Sequence, residues 1–580
     1  MAKDKKGPLL SGLGLSLVLW MPIAVPAQNL PPQIIHYPDL VILNGKILTA
    51  DDQFTIAEAL AIRDGKFLAV GNNALIRQMV GPETQIIDVE GKTVIPGIIN
   101  THLHLADNAE RPINWWKNDK ELVEGLQQQI PSVPEGIWVV RWFNSVVSPY
   151  MQGKLSRALL DGIAPNNPLI VGAHTGGYYV LNSLAFQKLD IPTDLEGIAK
   201  DPQTGEPTGE VIDEAARAIG DEVAWLEPME EKIQRLREAI DDLIPLGTTT
   251  IHTRINADGI TALRELWVNQ ELKLRWRVAL TGLRGGERLF KTIGNLTSIG
   301  NDMLRLTGVA AGATDSFIGS GGAWTFQRKM RLNPNNPNDR PYGPEVSWKR
   351  SAEILAAAVK FGWSVVGIHS DGDRGTAEAL AAYEKARATR LVPSQDQIFR
   401  LDHLSIIRPD EIRKMKELGI VPSVAAWHTF VPIKNLEYMY GPDRVSRFSP
   451  GRSFYDAGIQ PAAEISSACP FWSMQIKVTR KAEDQVWGPY EKVSREEALK
   501  QHTSYAATYF KEQGRLGTIE AGKLADLAIV DGDYMTIPED QIETLAVSKT
   551  VLGGKVVFET ENPSPCASER YRNIQEVTAF

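Results

Sequence analysis

The sequence predicts an α/β chain: a long body built on a parallel sheet, framed at both ends by short strands. Three observations carry this. Strand-like and helix-like runs alternate through the middle of the 580 residues, which is the mark of parallel strands joined by helical crossovers. Short β-branched runs punctuated by Asn-Gly and Asp-Gly occupy the first hundred residues, and similar runs return after Leu516. Between the first frame and the body lies Val94-Ile-Pro-Gly-Ile-Ile-Asn-Thr-His-Leu-His-Leu105, an apolar, β-branched run that reads as a buried strand.

In chain order, Lys3, Lys5 and Lys6 precede a mostly apolar run from Leu9 to Val25, and Val25-Pro-Ala27 offers the small residues a signal peptidase reads. We expect a signal peptide over 1–27 and export to the periplasm or medium. Gly12, Gly14, Pro22 and Pro26 break the run, leaving it short of the ~20 residues of a spanning helix. From Asp39 to Val94, turns are expected at Asn44-Gly45 and Asp64-Gly65, because glycine accepts the positive φ of a tight hairpin. The stretch from Ala106 to about Pro165 is rich in tryptophan and reads as an insertion placed to cap a pocket. Gly247 to Thr253 follows an amphipathic helix over Glu230 to Ile244. Gly362 to Ile368 precedes one over Thr376 to Ala386, and Gly419 to Val424 follows one over Asp410 to Leu418. Residues from about Gly321 to Val346 read as a long loop, and 561–580 as a polar tail.

Composition bounds the partners. A 43% hydrophobic content fills a sizeable core, and a net charge of -9 leaves no basic footprint for nucleic acid. A small-molecule substrate is expected, with no nucleic acid and no stable membrane insertion after cleavage; a homo-oligomer stays open. Cys469 and Cys566 are the two cysteines, too few for a disulfide framework and without ligand spacing, although one bridge stays open.

Residues i and i+2 of a strand share a face, so His102 and His104 leave the backbone in parallel and can grip one cation. Imidazole suits zinc, iron, nickel or copper. Ile95-Pro-Gly-Ile-Ile-Asn-Thr-His-Leu-His resembles the first-strand signature of the amidohydrolase superfamily, and other segments resemble that family in the expected order. Gly362-Trp-Ser-Val-Val-Gly-Ile-His-Ser-Asp-Gly-Asp373 is similar to its fifth strand and Phe399-Arg-Leu-Asp-His-Leu404 to its sixth. Leu516-Gly-Thr-Ile-Glu-Ala-Gly-Lys-Leu-Ala-Asp-Leu-Ala-Ile-Val530 is similar to the segment that returns to its small β-sandwich. Asn166 to Leu184 and Gly205 to Val211 resemble the branch that contains N-substituted formamide deformylase.

The resemblance, covering roughly 38 to 560, implies a (β/α)8 TIM-type barrel over 98–514 and a discontinuous β-sandwich from 38–97 and 515–560. It implies a metal held by His102, His104, His369 and His403, one or two divalent transition ions with zinc first, and hydrolysis of an amide-type C–N bond. His403 is a candidate both as ligand and as a group polarising substrate. Asp373 or Asp402 are candidate acceptors behind the ligands. His174 and His428 are expected in the substrate pocket, His252 in the pocket or behind the ligands, and Tyr178 and Tyr179 as an aromatic wall or core; His36 and His502 carry no catalytic signal.

The chain departs from the family twice. The bridging lysine falls nearest Ala310 in Leu306-Thr-Gly-Val-Ala-Ala-Gly-Ala-Thr-Asp315, where alanine cannot coordinate; Asp315 is a candidate replacement from a shifted register. The eighth-strand Ser-Asp pair corresponds to Ala463-Glu-Ile-Ser-Ser-Ala-Cys-Pro470, with no aspartate near Ser466 and Ser467. Glu464 is a candidate base two to four residues away, with a face that displacement along a strand can reverse; Asp371, His174 and His428 are the other candidates. These departures leave two alternatives beside the hydrolase: a non-hydrolytic metalloenzyme (hydratase, isomerase or lyase) with a His-only mononuclear site, and a silent binding protein.

Overall fold

Eight parallel strands form the body of the protein, and their ends carry the groups that matter for chemistry. The computed structural model describes residues 36–106, 113–114, 116, 118–143, 153–173, 178–192, 194–195, 197–226, 228–283, 286–315, 318, 323–327, 345–391, 397–426, 430, 433–465, 469–482 and 485–565. The expected signal peptide, much of the 321–346 loop, His174, His428, Ser466, Ser467, Cys566 and most of the tail therefore lie outside the described residues.

The barrel strands are Ile98–Ala106, Thr248–Ile255, Arg275–Leu280, Leu304–Val309, Val365–Ser370, Phe399–His403, Val421–Ala425 and Ala462–Glu464, each hydrogen-bonded to its neighbours in that order. Side chains help to close first strand to last: Thr101 Oγ1 donates to Ala463 O at 2.9 Å, and Ile465 N donates to Asn100 Oδ1 at 3.3 Å. The strands are buried on nearly every residue because helices cover their outer faces. Helix Met229–Leu243, for example, packs Leu236 and Ile240 on Ile251 and Trp276, and each such burial is worth about 1.5–3 kcal/mol. Helix Pro409–Leu418 stops at Gly419 in the left-handed conformation, and the next strand begins two residues later.

Register sets the geometry of the site. Parallel pairing places His369 beside Asp402, Ser370 beside His403, His403 beside Val424, and Ala425 beside Glu464. The C-terminal ends of strands five, six and eight thus present their polar residues at one level, where barrel active sites gather.

Two sheets frame the barrel. One runs Lys66–Gly71, Ala59–Arg63, Leu40–Leu43, Gln85–Asp88. The other runs Lys555–Glu559, Ala546–Leu552, Leu527–Asp531, Thr93–Pro96, Lys46–Leu48, Ile56–Ala57, three C-terminal strands joined to three N-terminal ones where Leu527–Asp531 pairs with Thr93–Pro96. Leu40, Ile42, Leu60 and Phe67 of the first pack against Ile47, Val94, Leu527 and Val551 of the second. Asp64-Gly65 forms the expected hairpin, with φ of 54° and 73° and Arg63 opposite Lys66. Asn44-Gly45 does not. Its flanking strands belong to different sheets, so this turn passes the chain from one sheet to the other.

The insertion after the first barrel strand is larger than expected. A six-stranded mixed sheet extends from Ile113–Asn114 through Val139–Phe143, Leu169–Ala173 and Tyr178–Leu181 to Pro207–Ile212, with Ile198–Lys200 on its edge. Tyr178 and Tyr179 are buried in the two cores on either face of this sheet, which makes both packing residues. Cys469 is buried, and the single bridge left open by the sequence involves Cys566, which lies outside the described residues.

The N-terminal end of the barrel is plugged. Ala506, Ala507, Tyr509, Phe510 and Leu516 pack in one cluster with Ile99 and Val366, each the second residue of its strand. Among the described residues, no helix is long and apolar enough to cross a membrane.

Candidate metal centre

Four histidines from three strands form a chain across the barrel mouth. His104 and His102 lie with ring centroids 4.8 Å apart, His102 and His403 4.5 Å apart, His403 and His369 4.2 Å apart. The strand periodicity of His102 and His104 brings their Nε2 atoms to 3.0 Å, the convergence a shared cation requires.

Buried carboxylates set the rings. His102 Nδ1 donates to Asp402 Oδ2 at 2.8 Å, with side chains 4% and 0% exposed. That bond turns Nε2 toward His104, the arrangement by which ligand histidines are usually oriented. Asp402 also accepts from the Tyr509 hydroxyl. Burial pushes its carboxyl upward, opposed by the charge of Arg254 and then by the Tyr509 hydrogen bond. Of the two aspartates expected behind the candidate ligands, Asp402 stands there, whereas Asp373 Oδ1 accepts from Phe326 N in the first turn of the next helix.

Glu464 reaches the site. Its Oε2 pairs with His403 Nδ1 at 2.7 Å and its Oε1 accepts from His403 N at 2.8 Å. Ligand atoms of His102, His403 and Glu464 lie within 4.8 Å of one another. Burial drives the Glu464 carboxyl well above the usual range, reinforced by the charges of Asp402 and Asp371. His403 has φ 76° and Leu404 φ 52°, a left-handed pair at the strand end. Such strain, of order 1–3 kcal/mol per residue, persists where neighbours hold it in place; here Glu464 holds both the backbone and the ring of His403.

His369 stands at the other edge, its Nε2 3.5 Å from Asp371 Oδ2 and 3.6 Å from Asp315 Oδ1. Asp315 is engaged by backbone: Oδ1 accepts from Asp371 N at 2.9 Å, and Oδ2 from Gly372 N at 2.7 Å and Trp324 N at 2.9 Å. Three such donors make it a staple between loops, a different task from bridging two ions. Asp371 is similarly tied, Oδ1 accepting from Ser405 Oγ at 2.5 Å and Oδ2 from Ile318 N at 3.0 Å. Ala310, the position nearest the expected bridging lysine, is buried and presents only a methyl group.

His252 lies behind the ligands. Its Nδ1 donates to Thr101 O at 3.0 Å, and burial lowers its pKa to about 4, so the ring is neutral. Sequence reasoning missed Arg254 and Tyr509. A charged residue at a strand's C-terminal end was the available signal for Arg254; Tyr509 had none.

The donor set fits a borderline divalent ion. Imidazoles converge at a strand-end rim, each of two rings is oriented by a buried carboxylate, and a pair of carboxylates, Asp315 and Asp371, flanks His369; such N and O donors suit zinc and its neighbours.

Known proteins agree with this architecture. The chain is 27% identical over 565 residues to Protein LONG AFTER FAR-RED 3 of Arabidopsis thaliana, covering 92% of this chain and 93% of that protein. It is 26% identical over 557 residues to N-substituted formamide deformylase of Arthrobacter pascens, covering 90% and 98%. The crystal structure of an uncharacterized metal-dependent hydrolase from Pyrococcus horikoshii OT3 matches with a TM-score of 0.66 at 20% identity, covering 86% of this chain and 99% of that one, a likeness of fold. A model of the amidohydrolase family matches residues 85–558. That span takes in every barrel strand and all four clustered histidines, and the chain belongs to the amidohydrolase family.

Proposed function

We propose that this protein is an exported, metal-dependent enzyme that hydrolyses an amide-type C–N bond of a small molecule. The observation that carries the reading is the convergence of His102, His104, His369 and His403 with Glu464 at the barrel mouth, within an amidohydrolase chain. A divalent ion, zinc first, supplies acidification of water and polarisation of a carbonyl when bound there. The chain's own residues do the rest. Asp402 holds His102 in one tautomer, and Glu464 holds His403 through ring and backbone. We assign to Glu464, whose Oε2 meets His403 Nδ1 at 2.7 Å, the proton transfer that the resemblance gives to an eighth-strand aspartate. Asp315 and Asp371 keep the loops beside His369 in register.

The choice of a C–N bond is supported by the full-length similarity to a deformylase acting on N-substituted formamides. Export is supported by the N-terminal segment, with its lysines, apolar run and small residues at Val25-Pro-Ala27. The purified, zinc-loaded protein is expected to release amine from a panel of N-substituted formamides and simple amides, with loss on chelation and recovery on adding zinc. Metal bound with no amine released from any member would overturn the C–N reading and favour the non-hydrolytic alternative. Protein recovered from cells is expected to begin at Gln28.

A further inference from the structure

A guanidinium stands behind the histidines. Arg254, near the C-terminal end of the second barrel strand, reaches across the barrel and donates from Nη2 to Gly367 O on the fifth strand at 2.6 Å. The same nitrogen lies 3.9 Å from Asp402 Oδ2, the two side chains being 13% and 0% exposed. Asp402 Oδ2 is also the atom that accepts from His102 Nδ1. Three strands thus meet at one oxygen: the second through Arg254, the sixth through Asp402, the first through His102.

The backbone leaves room for this meeting. Gly367 has φ +82°, and a Cβ there would lie 3.1 Å from Asp402 Oδ2 and 3.7 Å from Arg254 Nε. The fifth strand therefore carries no side chain where guanidinium and carboxylate approach. A buried carboxylate rotates or relaxes unless cation and donors fix it. Tyr509 fixes one oxygen from below; Arg254 faces the other, and arginine stays charged throughout the accessible pH range.

We propose that Arg254 is a positioning residue of the metal centre: its fixed charge anchors the Asp402 carboxylate, which in turn holds the His102 ring with Nε2 toward His104. The inference rests on the metal-centre reading above. Its action is indirect, through Asp402, so its signature is metal affinity and ligand geometry rather than contact with substrate.

The test compares R254Q, which keeps a donor for Gly367 O but no charge, with R254K, which keeps the charge. Zinc affinity is read by competition with a chromogenic chelator, coordination by the absorption spectrum of the cobalt(II) form, and folding by circular dichroism of the chelator-treated protein. R254Q is expected to fold and to bind zinc about 10–100-fold more weakly, the usual cost of losing support behind a ligand, with an altered cobalt spectrum. R254K is expected to remain within about fivefold of wild type. The double variant with D402N is expected to be no weaker than D402N alone, because both act on one carboxylate. Wild-type zinc affinity and cobalt spectrum in folded R254Q, or additive losses in the double variant, overturn the inference while leaving the metal centre standing. If R254Q does not fold, R254K decides: a loss beyond about fivefold overturns the role of charge. A wild-type protein that binds no zinc overturns the metal-centre reading, and this inference with it.

Discussion

Both ends of the barrel bury carboxylates, and they pair them with different partners. At the N-terminal end Arg275 grips Asp526 through bonds of 2.6 and 2.8 Å, and Arg277 grips Glu512 through bonds of 2.9 and 2.7 Å. At the C-terminal end Asp402 and Glu464 meet His102 and His403 at 2.8 and 2.7 Å. Burial is the same; the partner decides the use. Guanidinium has donors only, so an arginine bound to a carboxylate has no lone pair to offer an ion. Imidazole bonded at Nδ1 still presents Nε2, so the same kind of buried carboxylate now aims a ligand. Tyr509 joins the two regimes, its carbonyl accepting from Arg400 Nε at 2.6 Å while its hydroxyl reaches Asp402.

The largest effects should come from breaking the ligand end. His102→Ala removes a ring that meets both His104 and Asp402, and is expected to abolish stoichiometric metal binding and activity; elemental analysis of the purified variant checks it, and retention of both would sink the site. Glu464→Gln keeps the shape but removes the charge at His403. A drop of about 10²–10⁴-fold in kcat, the usual worth of a general base, with metal content kept near wild type, is the expected result. Wild-type kcat would instead make Glu464 a purely structural acceptor.

The four clustered histidines were legible because each sits in a local motif: His102-Leu-His104 alternates on one strand, His369 ends the apolar run Val365-Val-Gly-Ile, and His403 ends Phe399-Arg-Leu-Asp. The carboxylates were less so. Consecutive strand residues face opposite ways, yet Asp402 and His403 both bond into the barrel, because the positive φ of His403 breaks the alternation. Glu464 could be placed only once the register Ala425 to Glu464 was known. Arg254 reaches Gly367 across 113 residues and Tyr509 reaches Asp402 across 107, distances over which no local pattern carries information. The Asn44-Gly45 turn misleads for a related reason: a turn signal states that the chain reverses, and is silent on whether its arms share a sheet.

Breaking the arginine end should separate stability from metal binding. Arg277 is fully buried, and Glu512, its partner, also lies 3.5 Å from Arg305. Arg277→Met leaves Glu512 with that weaker contact, and a cost of about 3–5 kcal/mol is expected for removing one member of a buried pair, measured by urea unfolding of the chelator-treated protein. Zinc per folded chain should not change. Loss of metal in parallel with stability would mean that the plug and the rim are one unit. Replacing Glu512 with Met as well should recover part of the loss, since a paired apolar substitution leaves no unpaired charge.

The smallest effect sharpens the comparison most, because it asks what happens when a histidine is treated as the arginines are. His502 is fully buried beneath the barrel, with Nδ1 donating to Ala498 O at 2.7 Å and Nε2 accepting from Ser473 Oγ at 2.9 Å. With both nitrogens engaged it has nothing to offer an ion, so His502→Asn should leave zinc content unchanged. Its signature is acid sensitivity. Burial, and then the charge of Lys477, lowers its pKa to about 3 from an ordinary 6.5. Between those values the unfolded chain binds a proton that the folded ring refuses, so stability falls as pH drops from about 6.5 toward 3, by at most ~1.4 kcal/mol per pH unit. Above pH 6.5 the ring contributes no slope. His252, lowered to about 4, adds to the same fall, so His502→Asn should flatten the acid limb of the stability curve without abolishing it. Urea midpoints at pH 7, 6, 5 and 4 measure this in the chelator-treated protein. An unchanged acid slope would mean that His502 is protonated in the fold, a ring with donors only, as the guanidiniums are.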